Sequence, residues 1–155
     1  ETTIGKNCLF MAYSHVAHDC IIGNNVILAN SVNLAGLVEI QDFVVIGGVV
    51  GVHQFVRIGA HSIIGGGFRV VQDVCPYMLA AGYPLKIHGL NKIGLKRRRF
   101  SSQTVEILEK VYKILFRSKL NTKQALEKIK SEIELIPEVQ NLIDFIEKSE
   151  RGIVK

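Results

Sequence analysis

From Ile4 onward an apolar residue recurs at every sixth position, running through Phe10, Val16 and Ile22 to Ile64 and Val70. A single helix repeats every 3.6 residues, and a strand meander alternates between polar turns of variable length, so neither carries an unbroken six. A parallel β-helix does: each hexapeptide supplies one short strand and one corner, and three hexapeptides close a triangular coil. Residues eighteen apart then stack one strand spacing, about 4.8 Å, above one another. The twelve hexapeptides from Ile4 to Val70 predict about four coils.

The position four after each apolar residue is also restricted, reading Cys8, Ser14 and Cys20 and then mostly valine up to Val74, which marks a second inward slot. The position one after is often Gly or Ala, as at Gly5, Ala17, Gly23 and Gly59, and is expected where the backbone turns tightly.

Residues 1–75 are therefore read as the β-helix. Residues 76–94 break the period with prolines and glycines and read as an ordered connecting loop. Residues 95–155 carry helical signals. Ser101 or Ser102 can cap a helix whose apolar stripe includes Leu108, Val111, Tyr112 and Leu115. Asn121 or Thr122 can cap a second, and Pro137 suits the first turn of a third that Gly152 would end. Each helix has one apolar stripe, so each must pack on its neighbours, on the β-helix or on another subunit.

No run of about 18 uncharged apolar residues is present, and the first residues lack the layout of a signal peptide, so a cytoplasmic protein without membrane insertion is expected. The sequence begins with Glu1 already inside the repeat, as expected of a fragment or processed product. Its three cysteines form no CxxC, which argues against a disulfide framework or a thiolate zinc site. Residues 1–92 carry five basic and five acidic side chains, and residues 93–155 carry fourteen and nine, so the whole net charge of +5 lies in residues 93–155. Such a surface suits an acidic protein, a nucleotide, a nucleic acid or an anionic membrane.

The stretch "SHVAHDC", residues 14–20, holds the densest polar chemistry. Coil stacking puts His18, Gly36, Gln54 and Gln72 in one column and His15, Asn33, Gly51 and Arg69 in another, with His53 beside Gln54. Zinc needs three or four converging donors. His-x-x-His supplies two, and Cys8 and Cys20 fall in inward slots, so no metal or cofactor is expected. His18 can act as a general base and Asp19 can fix its tautomer. No serine or cysteine stands out as a nucleophile, so direct transfer is the more economical chemistry. The residues alone leave this open against a purely structural role at a β-helix corner.

"HVAHDCIIGNNVILAN", then "LAG", "IGGVVGVHQFVRIGAH", "VQDVCPY" and "GLKRRRF" together resemble the bacterial UDP-N-acetylglucosamine O-acyltransferases, which catalyse the first step of lipid A biosynthesis. The resemblance runs over essentially the whole chain. It implies a left-handed parallel β-helix followed by a C-terminal α-helical domain. It also implies a homotrimer with active sites between subunits, and transfer of a 3-hydroxyacyl group from acyl carrier protein to the 3-hydroxyl of the sugar nucleotide. Matched residue by residue, the base falls on His18 with Asp19 as its partner, and the oxyanion-stabilising N–H falls on Gly36. His15, His53 and Gln54 fall on substrate-contacting positions. Asn91, Arg97 and Arg98 fall on nucleotide contacts, and Gly66 falls on the position that gauges acyl length, where glycine implies a chain near fourteen carbons.

The chain departs from that pattern at Leu37 and Ile93, where histidine and glutamate are common, and this leaves open whether the acceptor carries a 3-hydroxyl or a 3-amino group. The family's N-terminal coils, with further sugar-binding residues, are not in this sequence. Rival readings are the related N-acyltransferase, in which asparagine is more typical at Asp19, and an acetyl-CoA-dependent acetyltransferase. A scaffold binding nucleic acid through "KRRRF" is the reading from a different class, and the lack of interleaved aromatics argues against it.

Overall fold

A computed structural model describes residues 1–155. Twelve two-residue strands, one per hexapeptide, wind into a parallel β-helix with three faces. The first face stacks β1 (Thr3–Ile4), β4 (Ile21–Ile22), β7 (Glu39–Ile40) and β10 (Arg57–Ile58). The second stacks β2 (Leu9–Phe10), β5 (Ile27–Leu28), β8 (Val45–Ile46) and β11 (Ile63–Ile64), and the third β3 (His15–Val16), β6 (Asn33–Leu34), β9 (Gly51–Val52) and β12 (Arg69–Val70). Ile4 pairs with Ile22 and Ile22 with Ile40, the expected rise of eighteen residues per coil.

Both inward slots are filled as the period requires. Ile22, Leu28, Leu34, Ile40, Ile46, Val52, Ile58 and Ile64 are at most 3% exposed, and the valines of the four-after slot from Val26 to Val56 at most 1%. Each such burial contributes about 1.5–3 kcal/mol, so the column of cores is what holds one coil on the next.

The expected turn position is corrected. The left-handed residue lies three after the apolar position, not one: Asn7, Tyr13, Asp19 and Asn25 through to His61 all have φ between 57° and 68°, and Gly67 continues the series at 82°. The small residue one after answers a different demand. A Cβ at Gly23 would lie 2.3 Å from Asp42 Oδ1, and one at Gly59 2.3 Å from the Pro76 nitrogen, so glycine there admits the coil above.

The segment read as a connecting loop, 76–94, is instead mostly regular. β13 (Met78–Ala81) adds a parallel strand to β11, and β14 (Lys86–Leu90) turns back antiparallel beside it. The step to β13 shortens to sixteen residues, Ile63 pairing with Leu79, and this hides the strand from a six-residue count. A short helix, α1 (Lys92–Arg97), follows with Asn91 as its cap.

Three longer helices complete the chain: α2 (Ser102–Phe116), α3 (Thr122–Glu132) and α4 (Pro137–Glu147). Ser101 caps α2, Asn121 caps α3 in a reciprocal capping box with Gln124, and Pro137 opens α4. Helix α2 packs on α3, α4 and β14. Helix α4 ends at Glu147, short of Gly152, because the tail turns back to the β-helix. There Ser149 donates to the buried Asp73 carboxylate at 2.6 Å, and Val154 N–H donates to the Asp73 carbonyl at 2.8 Å.

Candidate active site

His18 lies two residues beyond β3, where the third face turns into the first. Asp19 takes the left-handed turn conformation, φ 57°, which short polar side chains tolerate best among non-glycine residues. The turn swings its carboxylate onto the neighbouring ring, and His18 Nδ1 stands 3.0 Å from Asp19 Oδ2. A carboxylate accepts, so Nδ1 carries the proton and Nε2 is left as the basic nitrogen. His18 is 66% exposed, open to a substrate.

His18 Nε2 faces Gly36, one coil above: a Cβ on Gly36 would sit 2.4 Å from that nitrogen. The Gly36 N–H donates to no group of the chain. At the corner after the first face three of the four equivalent N–H groups are occupied, Lys6 donating to Asn24 Oδ1 and Asn24 to Asp42 Oδ1, both at 2.7 Å, and Ala60 to Gln41 Oε1 at 3.0 Å. A free base nitrogen and a free backbone donor thus lie at the same corner, and together they can take a proton from a hydroxyl and steady an oxyanion.

The predicted columns are present: His15 pairs with Asn33, Asn33 with Gly51 and Gly51 with Arg69. Beside them a groove of about 400 Å³ is lined by Asn33, His53, Gln54 and Arg69 among others. Arg69, which sequence reasoning placed in the His15 column without a role, donates from Nη2 to His53 Nε2 at 3.3 Å. Gly66 is at the other edge of this face, its Cβ direction meeting the Gly48 carbonyl at 3.2 Å.

Asn91, Arg97 and Arg98 do not join that group. They lie at the opposite corner, in a groove of about 520 Å³ over the outward side chains Ile27, Val45 and Ile63 of the second face. The exposed Arg97 is the freest of the three. Asn91 is buried, with Nδ2 donating to the His61 carbonyl at 2.9 Å and Oδ1 capping Gly94 at 3.2 Å. The Arg98 guanidinium carbon lies 5.2 Å from the Phe43 ring centre. Leu37 and Ile93 are both exposed, Ile93 at the rim of this second groove.

The thiols belong elsewhere. Cys20 and Cys75 are fully buried, burial pushes the Cys75 thiol well above its usual range, and no three His, Cys, Asp or Glu side chains converge.

The coils place the chain in the hexapeptide-repeat fold class, and a family model described as bacterial transferase hexapeptide (six repeats) matches residues 1–36. A second, described as UDP N-acetylglucosamine O-acyltransferase, domain 2, matches residues 73–154. The acyl-[acyl-carrier-protein]–UDP-N-acetylglucosamine O-acyltransferase of Burkholderia orbicola is 44% identical over 99% of this chain and 60% of its own length. Among solved structures, LpxA from Acinetobacter baumannii superposes with a TM-score of 0.94 at 46% identity, covering 98% of this chain and 59% of that one. The UDP-N-acetylglucosamine O-acyltransferase of Moraxella catarrhalis gives 0.94 at 43%, covering 99% and 60%. The chain belongs to the UDP-N-acetylglucosamine O-acyltransferase family. It spans about 60% of the length of the curated relatives it matches.

Proposed function

We propose that the protein transfers a 3-hydroxyacyl group from acyl carrier protein to the glucosamine 3-position of UDP-N-acetylglucosamine, the entry reaction of lipid A biosynthesis, in the cytoplasm and as a homotrimer. The observation that carries this reading is the His18–Asp19 pair set against Gly36, whose N–H is unpaired. His18 Nε2 takes the proton as the sugar hydroxyl attacks the thioester carbonyl, Asp19 steadies the imidazolium, and the Gly36 N–H donates to the oxyanion. Collapse of the tetrahedral intermediate expels the carrier thiolate, which recovers the proton from His18.

The remaining assignments follow the same reading. His15, His53 and Gln54 hold the sugar and donor beside the base, Gly66 leaves the acyl groove open, and Arg97 and Arg98 pair with the diphosphate, for which guanidinium forks are suited. The two groups lie at different corners of one chain, which supports a site completed by a neighbouring subunit. The basic C-terminal segment, residues 93–155, suits an acidic carrier protein. No helix is long and apolar enough to cross a membrane.

The test offers acyl-carrier thioesters and acetyl-CoA separately, with 3-hydroxyl and 3-amino sugar nucleotides as acceptors, and weighs the product by mass spectrometry. Acyl transfer from the carrier protein to the sugar 3-position is expected. Turnover with acetyl-CoA alone sinks the proposal.

A further inference from the structure

We propose that His61 is the positioning residue for α1 and the two proposed nucleotide-binding residues that flank it, gripping Arg98 through its imidazole and Asn91 through its backbone carbonyl. The inference rests on the nucleotide role proposed for that corner. Two bonds from a single residue tie the helix to the β-helix: Asn91 Nδ2 donates to the His61 carbonyl at 2.9 Å, and Arg98 Nη1 donates to His61 Nδ1 at 3.4 Å. Arginine has no acceptor, so Nδ1 must be the unprotonated nitrogen and the ring is neutral with its proton on Nε2.

The ring itself has little freedom. Phe43, one coil below, stacks on it at 4.9 Å and 8°; Tyr77 stacks at 6.0 Å and 18°; and Phe100 meets it edge-on at 4.9 Å. The position belongs to the left-handed turn column, φ 60°, so the turn geometry that builds the coil also aims the imidazole at α1. Gly94 permits the approach, because a Cβ there would meet Asn91 Nδ2 at 2.4 Å and Arg98 Nη1 at 2.9 Å.

The charged and titratable groups around the ring are Arg98 at the C-cap of α1, Asp42 from the turn below and Tyr77 above. Burial first and Arg98 second hold the imidazole pKa down to about 4, with Asp42 opposing, so it remains an acceptor at neutral pH. A protonated ring would turn the same contact into repulsion between two cations.

The test separates acceptor from ring. His61→Phe keeps a ring between Phe43 and Tyr77 but offers Arg98 nothing; His61→Asn gives up the ring but places an amide oxygen near Nδ1 and suits a positive φ. Calorimetry with UDP and steady-state kinetics are read on wild type and both variants. The phenylalanine variant is expected to raise the UDP Kd and the sugar-nucleotide KM about three- to tenfold, as loss of one hydrogen bond implies, with kcat changing far less. The asparagine variant is expected to restore most of that loss. Unchanged binding in His61→Phe, or equal loss in both variants, overturns the proposal.

A nucleotide-independent arm follows the His61 imidazole nitrogens by NMR in wild type and Arg98→Met. Removal of the guanidinium should raise the pH at which the ring titrates, and identical titrations overturn the pairing. Wild type that fails to bind UDP sinks the nucleotide reading of this corner, while the NMR arm still decides the His61–Arg98 contact.

Discussion

Gly36 leaves the space that the His18 ring occupies. Gly36→Ala puts a methyl group 2.4 Å from Nε2, and the ring, being exposed, can only swing out of the corner. Displacing a base by an ångström or more costs on the order of 100-fold in rate, so kcat should fall by about that factor. The unfolding midpoint should move little, because alanine is compatible with a residue whose φ is not positive. A rate near wild type, with the fold intact, would show that the ring does not work from this corner. That His18 and Gly36 lie one coil apart is legible in the sequence, since eighteen residues separate them. The direction of Asp19 is not, because it depends on the left-handed turn, and neither is the reach of Arg69 to His53, which depends on a side-chain rotamer.

The hexapeptide sets the element scale. Its apolar period was legible because an inward slot tolerates nothing else; the helix caps at Ser101 and Asn121 were legible because unpaired N–H groups select few residue types, and Pro137 because the first turn needs no N–H from it. β13 and β14 were not, since Gly82 and Pro84 mask the hairpin and the shorter step takes it out of phase. The turn column also ties stability to pH. Folded His61 titrates at about 4 against an ordinary 6.5, so on acidification the unfolded chain binds a proton that the folded chain refuses. Stability is therefore lost as pH falls through that window. Urea midpoints taken across it should drop more steeply for wild type than for His61→Phe, and parallel slopes would contradict the shift.

At the scale of the whole molecule, the base and the proposed phosphate-binding cations occupy different corners of one prism, so neither face alone surrounds a sugar nucleotide. Co-expressing a His18→Ala chain with an Arg97→Ala, Arg98→Ala chain should give mixed oligomers more active than either parent, because some interfaces then combine two intact halves. No recovery would place the whole site within one subunit. The central claim is that His18 is the base for acyl transfer, and the most direct measurement is kcat of His18→Ala with acyl carrier thioester and UDP-N-acetylglucosamine. A loss of about 100- to 10,000-fold is expected, with the circular dichroism spectrum and oligomeric state unchanged. A rate within a few-fold of wild type would contradict it.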